Sequence, residues 1–440
     1  MKKINLDGLD LTLYKEVLDN GLEVYLLPYN DKKDYFISYG VRFGSDVLKF
    51  KLDGDDYVPP LGIAHYLEHK MFESPDGEDP FTFFAASGTE ANAMTSYDNT
   101  QYICYGTKNF KENLKYLISF VNNPYFTEEN VNKERGIIAE EIKMYNDMPD
   151  YKLEMALRNN IYKKCSRKYD IAGTVEEINK ITKDDLYKCY NSFYLTNNMF
   201  LLIVGNFDKK EALDTIKMQL NDKSSFAIPG IVNEYEAIDV VKKRDVLKDN
   251  IEVPKLGLGL KVPKKKLKLK DLELDLYLNM ITTVLFGASS EFRERTRSDK
   301  VLNDIYTYWE DSRYYKTFFL YATSKDLDSL LSEIQYEFDN ISITKNTFER
   351  IKKVWIANEI KSIDNIERMA YNLYDDIISY NDVVANKINC IKKMTIGTCN
   401  ELIKCIDFKN RSVVKMNNKN SNEDWDFSQF FYGSFSNNII

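Results

Sequence analysis

The stretch NDKSSFAIPGIVNEYEA, residues 221–237, has serine, proline and glycine and no hydrophobic period. Such a run reads as a linker. It falls at the middle of a chain of 440 residues, which is too long for one ordinary core. Strand-like and helix-like segments alternate before it and begin afresh after it. Before it, YKEVLDNGLEVYLLPY joins two β-rich runs through an Asn20-Gly21 hairpin signal. YFISYGVRFGS, ANAMTSYDNTQYICYGT and NMFLLIVGNF read as further strands. Helical periods run near 61–74, 110–122, 127–147, 151–163 and 209–220. After the linker, strands are expected near 255–262 and at YKTFFLYATS, with helices at 271–286, 326–340, 346–362 and 366–378. The predicted fold class is α+β, with two similar α/β-sandwich domains of about 200 residues each. They take residues 1–221 and 241–440, with 222–240 between them. The tail NNKNSNEDWDFSQFFYGSFSNNII is polar with aromatics and reads either as disordered or as a strap onto another surface.

Hydrophobic residues make up 44% of the chain and charged ones 29%, the balance of a soluble globular protein. The net charge of −8 argues against a nucleic-acid binder. The one basic run, KVPKKKLKLK at 261–270, is followed at once by DLELDL and reads as a solvated loop or helix start. The amino terminus lacks the apolar stretch of a signal peptide. No segment approaches the ~18 apolar residues of a membrane span. The six cysteines form no Cys-x-x-Cys pair and read as small apolar residues in a reducing compartment. A cytoplasmic location is therefore expected.

The chain has only two histidines, both in GIAHYLEHKMFES, residues 62–74. Pro59-Pro60 precedes them as a helix-start signal. On a helix, His65, Glu68 and His69 share one face, so both imidazoles can point at one ion. Zinc suits two imidazoles and a carboxylate, with a fourth position for water. The ion brings the pKa of that water to about 7, and a nearby glutamate can take its proton. The order His-x-x-Glu-His is the inverzincin signature. Five letters also arise by chance, and a surface helix with two histidines beside a glutamate would show the same pattern.

A third ligand is expected on a second helix, and TEENVNKERGIIAEEIKMYND (127–147) is the candidate. At helical spacing Glu134, Ile137, Glu141 and Met144 form one stripe. Lys133, Gly136, Glu140, Lys143 and Asp147 form another, so Glu140 reads as solvated. Glu134 and Glu141 are read among apolar neighbours, where an unpaired carboxylate is costly and a metal or its supporting hydrogen bonds would offset the cost. Pairing with lysine or arginine is the alternative.

GIAHYLEHKMFES, GTEANAMTSYDNTQY (88–102), ERGIIAEEI (134–142) and the run 170–206 together resemble the pitrilysin/insulinase family of zinc peptidases. The likeness is nearest to its short bacterial members and to mitochondrial processing peptidase, and it covers the first half. The resemblance implies one zinc per chain on His65, His69 and Glu141, with Glu68 as general base and Glu134 as a supporting acid. It implies an endopeptidase cleaving short or unfolded peptides by attack of a zinc-bound water, such as a processing enzyme for a precursor or leader peptide. Substrates of such enzymes add a strand to a sheet edge, and carried over, Asn92 and Ala93 would flank the scissile bond. ANAMTSYDNTQY, taken without the resemblance, is an ordinary strand.

The second half departs from the family pattern, which has an arginine and, seven residues later, a tyrosine. Arg297 fits the first slot, but Asp304 stands at the second and Tyr306 comes two residues late. Long family members join two halves into a clamshell, and this chain has the length of one. The resemblance thus implies a heterodimer with a related partner lacking the zinc motif, or else a homodimer using Arg297 and Tyr306. A non-catalytic scaffold subunit is the alternative function; such subunits characteristically lose the zinc motif, which this chain retains.

Overall fold

The computed structural model describes residues 1–77, 79–220 and 226–420. Strands β1 (Lys2–Leu6), β2 (Leu11–Val17), β3 (Glu23–Pro28) and β4 (Tyr35–Val41) open the chain, followed by the small hairpin β5 (Phe50–Leu52) and β6 (Asp55–Tyr57). Helices α1 (Ile63–Lys70) and α2 (Pro80–Ala86) lead into β7 (Glu90–Thr95) and β8 (Thr100–Gly106). Helices α3 (Phe110–Asn122), α4 (Glu128–Asp147), α5 (Pro149–Ile161), α6 (Val175–Ile178) and α7 (Lys183–Phe193) come next, then β9 (Met199–Gly205) and α8 (Lys209–Leu220). The second half holds β10 (Arg244–Asp249), β11 (Lys255–Pro263), α9 (Asp271–Phe286), α10 (Glu291–Ser298), β12 (Asp304–Asp311) and β13 (Tyr315–Thr323). It ends with α11 (Leu327–Asp339), α12 (Lys345–Ser362), α13 (Ile366–Tyr380), α14 (Lys387–Lys393), α15 (Ile396–Cys405) and β14 (Arg411–Asn418).

Two principal sheets result, with strand orders β1-β2-β3-β9-β4-β8-β7 and β10-β14-β11-β13-β12. The central strands β4 and β9 are buried along their whole length, as their unbroken aromatic and β-branched runs require. β7, at the end of its sheet, alternates exposed and half-buried residues. One face of the first sheet packs on α1, α3, α4, α7 and α8 through Val24, Ile37, Leu67, Leu117, Ile138 and Ile216, all in one core. Its other face is covered by α13 from the second half, through Met369, Leu373 and Ile377. In return α5, from the first half, packs Leu153, Leu157 and Ile161 against Phe319, Val414 and Met416 of the second sheet. Each sheet is thus the middle of an α/β sandwich, and each sandwich borrows a helix from the other half. Gly259 on β11 permits the close approach of α5, because a Cβ there would lie 2.0 Å from Ile161 Cδ1.

The expected elements appear, and several unexpected ones join them: α2, α6, α7, α10, α14, α15, β10, β12 and β14. The basic run is not wholly solvated. Lys261 lies inside β11, buried, with its ammonium 2.9 Å from Glu236. All six cysteines are free thiols, with Cys104, Cys189 and Cys399 buried and the others half-buried. Among the described residues no helix is long and apolar enough to cross a membrane. The tail from residue 421 and the first linker residues, 221–225, lie outside the described residues.

Candidate metal centre

Helix α1 starts at Gly62, whose φ of 87° is the left-handed conformation glycine adopts without strain. A Cβ there would stand 2.3 Å from the carbonyl oxygen of Ala172, so the helix start is seated against a fixed loop. Ile63, Ala64, Tyr66 and Leu67 turn into the core. At helical spacing this puts His65, Glu68 and His69 on the opposite flank. Helix α4 is started by Thr127, whose hydroxyl caps Asn130 in a capping box. The Tyr66 hydroxyl donates to the carbonyl of Val131 and fixes α1 against α4.

Across this junction His65 Nε2 lies 3.8 Å from Glu141 Oε1, and His69 Nε2 lies 3.5 Å from Glu141 Oε2. One donor atom from each of the three residues falls within 4.8 Å of the others, a grouping able to hold a metal ion. Two imidazoles and one carboxylate, with one side open, are the donor set zinc takes in catalytic sites. His69 Nδ1 is 3.1 Å from Glu134 Oε1. That contact favours the tautomer with its proton on Nδ1, leaving the Nε2 lone pair toward Glu141. His65 Nδ1 is buried and finds no partner among the described residues. Burial, helped by the charge of His69, pushes His65 down to about 3, so this ring stays neutral at physiological pH and can donate its lone pair. Burial works to lower His69 as well. Its hydrogen bond to Glu134 and the charges of Glu68, Glu134 and Glu141 outweigh that, and the ring is raised. The donor set and its orientation fit zinc.

Glu68 is nearly covered, at 8% exposure. Burial raises its carboxyl above the ordinary range, while the hydroxyl of Thr95, 2.8 Å from Oε2, opposes the rise by donating to the charged form. A raised carboxyl is a stronger base than an ordinary carboxylate. Thr95 is the last residue of β7, so the edge strand and the carboxylate are joined directly.

These groups stand in an open cleft of about 1030 Å³, lined also by Phe72, Phe81, Asn92, Ala93, Met94 and Ile137. Asn92 and Ala93 therefore line the same cleft as the histidines. Arg297 and Tyr306 do not; they stand exposed on α10 and β12, outside the residues that line this cleft. The apolar stripe expected on α4 is not buried. Ile137 and Met144 are 52% and 53% exposed, so Glu134 and Glu141 do not sit among buried apolar neighbours. The buried side of α4 is Asn130, Val131, Ile138 and Ile142, and the two glutamates flank it on the side facing α1. Glu140 is exposed and paired with Lys143 at 2.7 Å, as expected. Two residues escaped sequence reasoning, Thr95 and Lys70. Both sit inside quoted motifs, and only their contacts across the chain mark them.

Two imidazoles and a carboxylate, held between two helices beside a sheet edge, thus form a group that could hold a metal ion. The sequence profile of the insulinase family (peptidase family M16) matches residues 56–175, and that of the peptidase M16 inactive domain matches residues 180–354. The chain belongs to peptidase family M16. It is 39% identical over 315 residues to the uncharacterized zinc protease YmfH of Bacillus subtilis, covering 70% of this chain and 73% of that one. Among solved structures, an M16-like peptidase from Alicyclobacillus acidocaldarius superposes with a TM-score of 0.88 at 29% identity, covering 94% of this chain and all of that one. The periplasmic protease PqqL of Escherichia coli shares the fold, with a TM-score of 0.75 at 20% identity. The match covers 94% of this chain but 48% of PqqL. The two sandwiches are thus one half of the M16 clamshell.

Proposed function

We propose that the chain is a zinc-dependent endopeptidase acting on short or unfolded peptides, such as a precursor or leader peptide. The observation that carries this reading is the convergence of His65, His69 and Glu141, with Glu68 buried beside them and the edge strand β7 alongside. Zinc, when bound by those three residues, supplies a Lewis acid that polarises the peptide carbonyl and acidifies water. Asn92 and Ala93 on β7 align the substrate backbone by main-chain hydrogen bonds. Glu68 takes the proton of the attacking water on its carboxylate and passes it to the leaving amine nitrogen. Thr95 holds Glu68 in place, and Glu134 holds His69. Residues 1–221 form the zinc-binding unit in this proposal, 222–240 the linker and 241–440 a related unit without metal. The free thiols fit a reducing compartment, and the cytoplasm is the proposed location.

PqqL is about twice as long as this chain, so one chain supplies half of such an enclosure. Because Asp304 stands seven residues after Arg297 and Tyr306 comes two residues late, the proposed assembly is a heterodimer with a related chain that lacks the zinc motif and supplies the arginine and tyrosine. The match of residues 180–354 to an inactive-domain profile is compatible with a second reading, in which the chain is a non-catalytic scaffold subunit. Incubation with a peptide library, read by mass spectrometry with and without the partner, separates the two. Wild type is expected to cleave, and Glu68→Gln to keep its zinc while losing about 10²-fold or more in kcat. Zinc retention with no cleavage by wild type under either condition would favour the scaffold. Full activity of this chain alone, lost in Arg297→Ala, would favour the homodimer.

A further inference from the structure

Lys70 follows His69 directly, and its side chain is completely buried, at 0% exposure. A buried ammonium is costly unless it is paired and hydrogen-bonded. Its nitrogen lies 2.7 Å from Glu73 Oε1 and 3.4 Å from Glu134 Oε2. Glu134 therefore uses its two oxygens separately: Oε2 faces Lys70, and Oε1 faces His69 Nδ1 at 3.1 Å.

We propose that Lys70 is a positioning residue for the metal centre: its buried ammonium fixes the rotation of Glu134, and Glu134 in turn fixes His69 with Nε2 turned to the ion. The inference rests on the zinc-peptidase reading. A carboxylate with one free oxygen can rotate about its terminal torsion, which is broad. Lys70 closes that freedom from the side away from the ion. Residues that orient a metal-binding histidine in this way typically contribute 10–100-fold to affinity. A bare charge effect has the opposite sign, since a cation near a divalent ion repels it. The direction of the change therefore separates positioning from charge.

The test is zinc affinity, by chelator competition, in wild type, Lys70→Met, Glu134→Gln and the double variant, with thermal denaturation of the zinc-free proteins as the folding control. Lys70→Met keeps the bulk of the side chain and removes the charge. It is expected to weaken zinc about 10-fold or more. The double variant is expected to be no weaker than Glu134→Gln alone, because Lys70 acts through Glu134. Glu73→Gln, at the solvent-facing side of the pair, leaves Lys70 to Glu134. It is expected to hold zinc within about twofold of wild type, and it keeps the proposal testable should Lys70→Met not fold. Tighter or unchanged zinc in Lys70→Met, additive losses in the double variant, or a tenfold loss in Glu73→Gln each overturn the role of Lys70. A wild-type chain that takes no zinc overturns the proposed function and this inference together.

Discussion

Glu140 and Glu141 are neighbours in the chain with opposite surroundings. Glu140 points to solvent and pairs with Lys143, and Glu141 turns to both histidines. The helical period alone separates them, since adjacent residues lie about 100° apart on a helix. Glu141→Gln is expected to lower zinc affinity by at least an order of magnitude, because an anionic donor becomes neutral. Glu140→Gln is expected to leave it within about twofold, since an exposed pair contributes little. Isothermal titration of the two variants checks the helix phase, and a reversed order of effects would place the ligand one residue off. The sequence points to the two glutamates that lie beside the histidines, though through a partly wrong reason. Apolar spacing marks Ile137 and Met144 as a buried face, yet both line or flank the open side of α4. A cleft wall carries apolar residues for its own purposes, and composition does not distinguish it from a core. Thr95 and Lys70 are illegible for a different reason, because their partners Glu68 and Glu134 are 27 and 64 positions away.

At the scale of elements, strands and long helices are legible because their hydrophobic periods are long and clean, as α3 at Phe110–Asn122 illustrates. The exchange of α5 and α13 between the halves is not. Each helix is amphipathic, but nothing in its period says which sheet it covers. The contact surfaces carry the answer: Gly257 and Gly259 flatten β11 under α5, with the Leu153, Leu157 and Ile161 side chains laid on them. Gly259→Ala is expected to destabilise the protein by about 1–3 kcal/mol, because its Cβ meets the fully buried Ile161 and forces it off its rotamer. Urea denaturation measures this, and unchanged stability would mean that α5 does not pack so closely. The exchange also ties the second half to the cleft. Arg158 on α5 pairs with Glu310 on β12 at 2.8 Å, and Arg167 bridges Glu310 and Asp98 at 3.7 and 3.4 Å. Asp98 and the adjacent Asn99, which accepts from Tyr374 of α13, form the turn between β7 and β8. The edge strand β7 is thus anchored at its tip by residues of both halves.

At the scale of the whole molecule, Glu236 joins the halves. Its buried carboxylate accepts from the backbone of Lys163, Lys164 and Cys165 at 3.0, 2.6 and 2.8 Å, and from Lys261 of the second sheet at 2.9 Å. Burial works to raise it, but those donors outweigh burial and lower it from the ordinary 4.5. The stability this group contributes is therefore present above 4.5 and lost as the pH falls through its lower folded value. Glu236→Gln is expected to melt below wild type at pH 7, with the gap closing under pH 4.5; a gap independent of pH would remove the carboxylate from the account. The fold, the family and the seam between the halves leave one claim on which the rest depends, that the two histidines exist to hold zinc. Metal analysis of the purified wild-type chain and of the His65→Ala/His69→Ala double variant tests it most directly. About one zinc per wild-type chain, and none above background in the double variant, is the expected result. A wild-type chain without zinc, or a double variant that keeps it, would contradict the account.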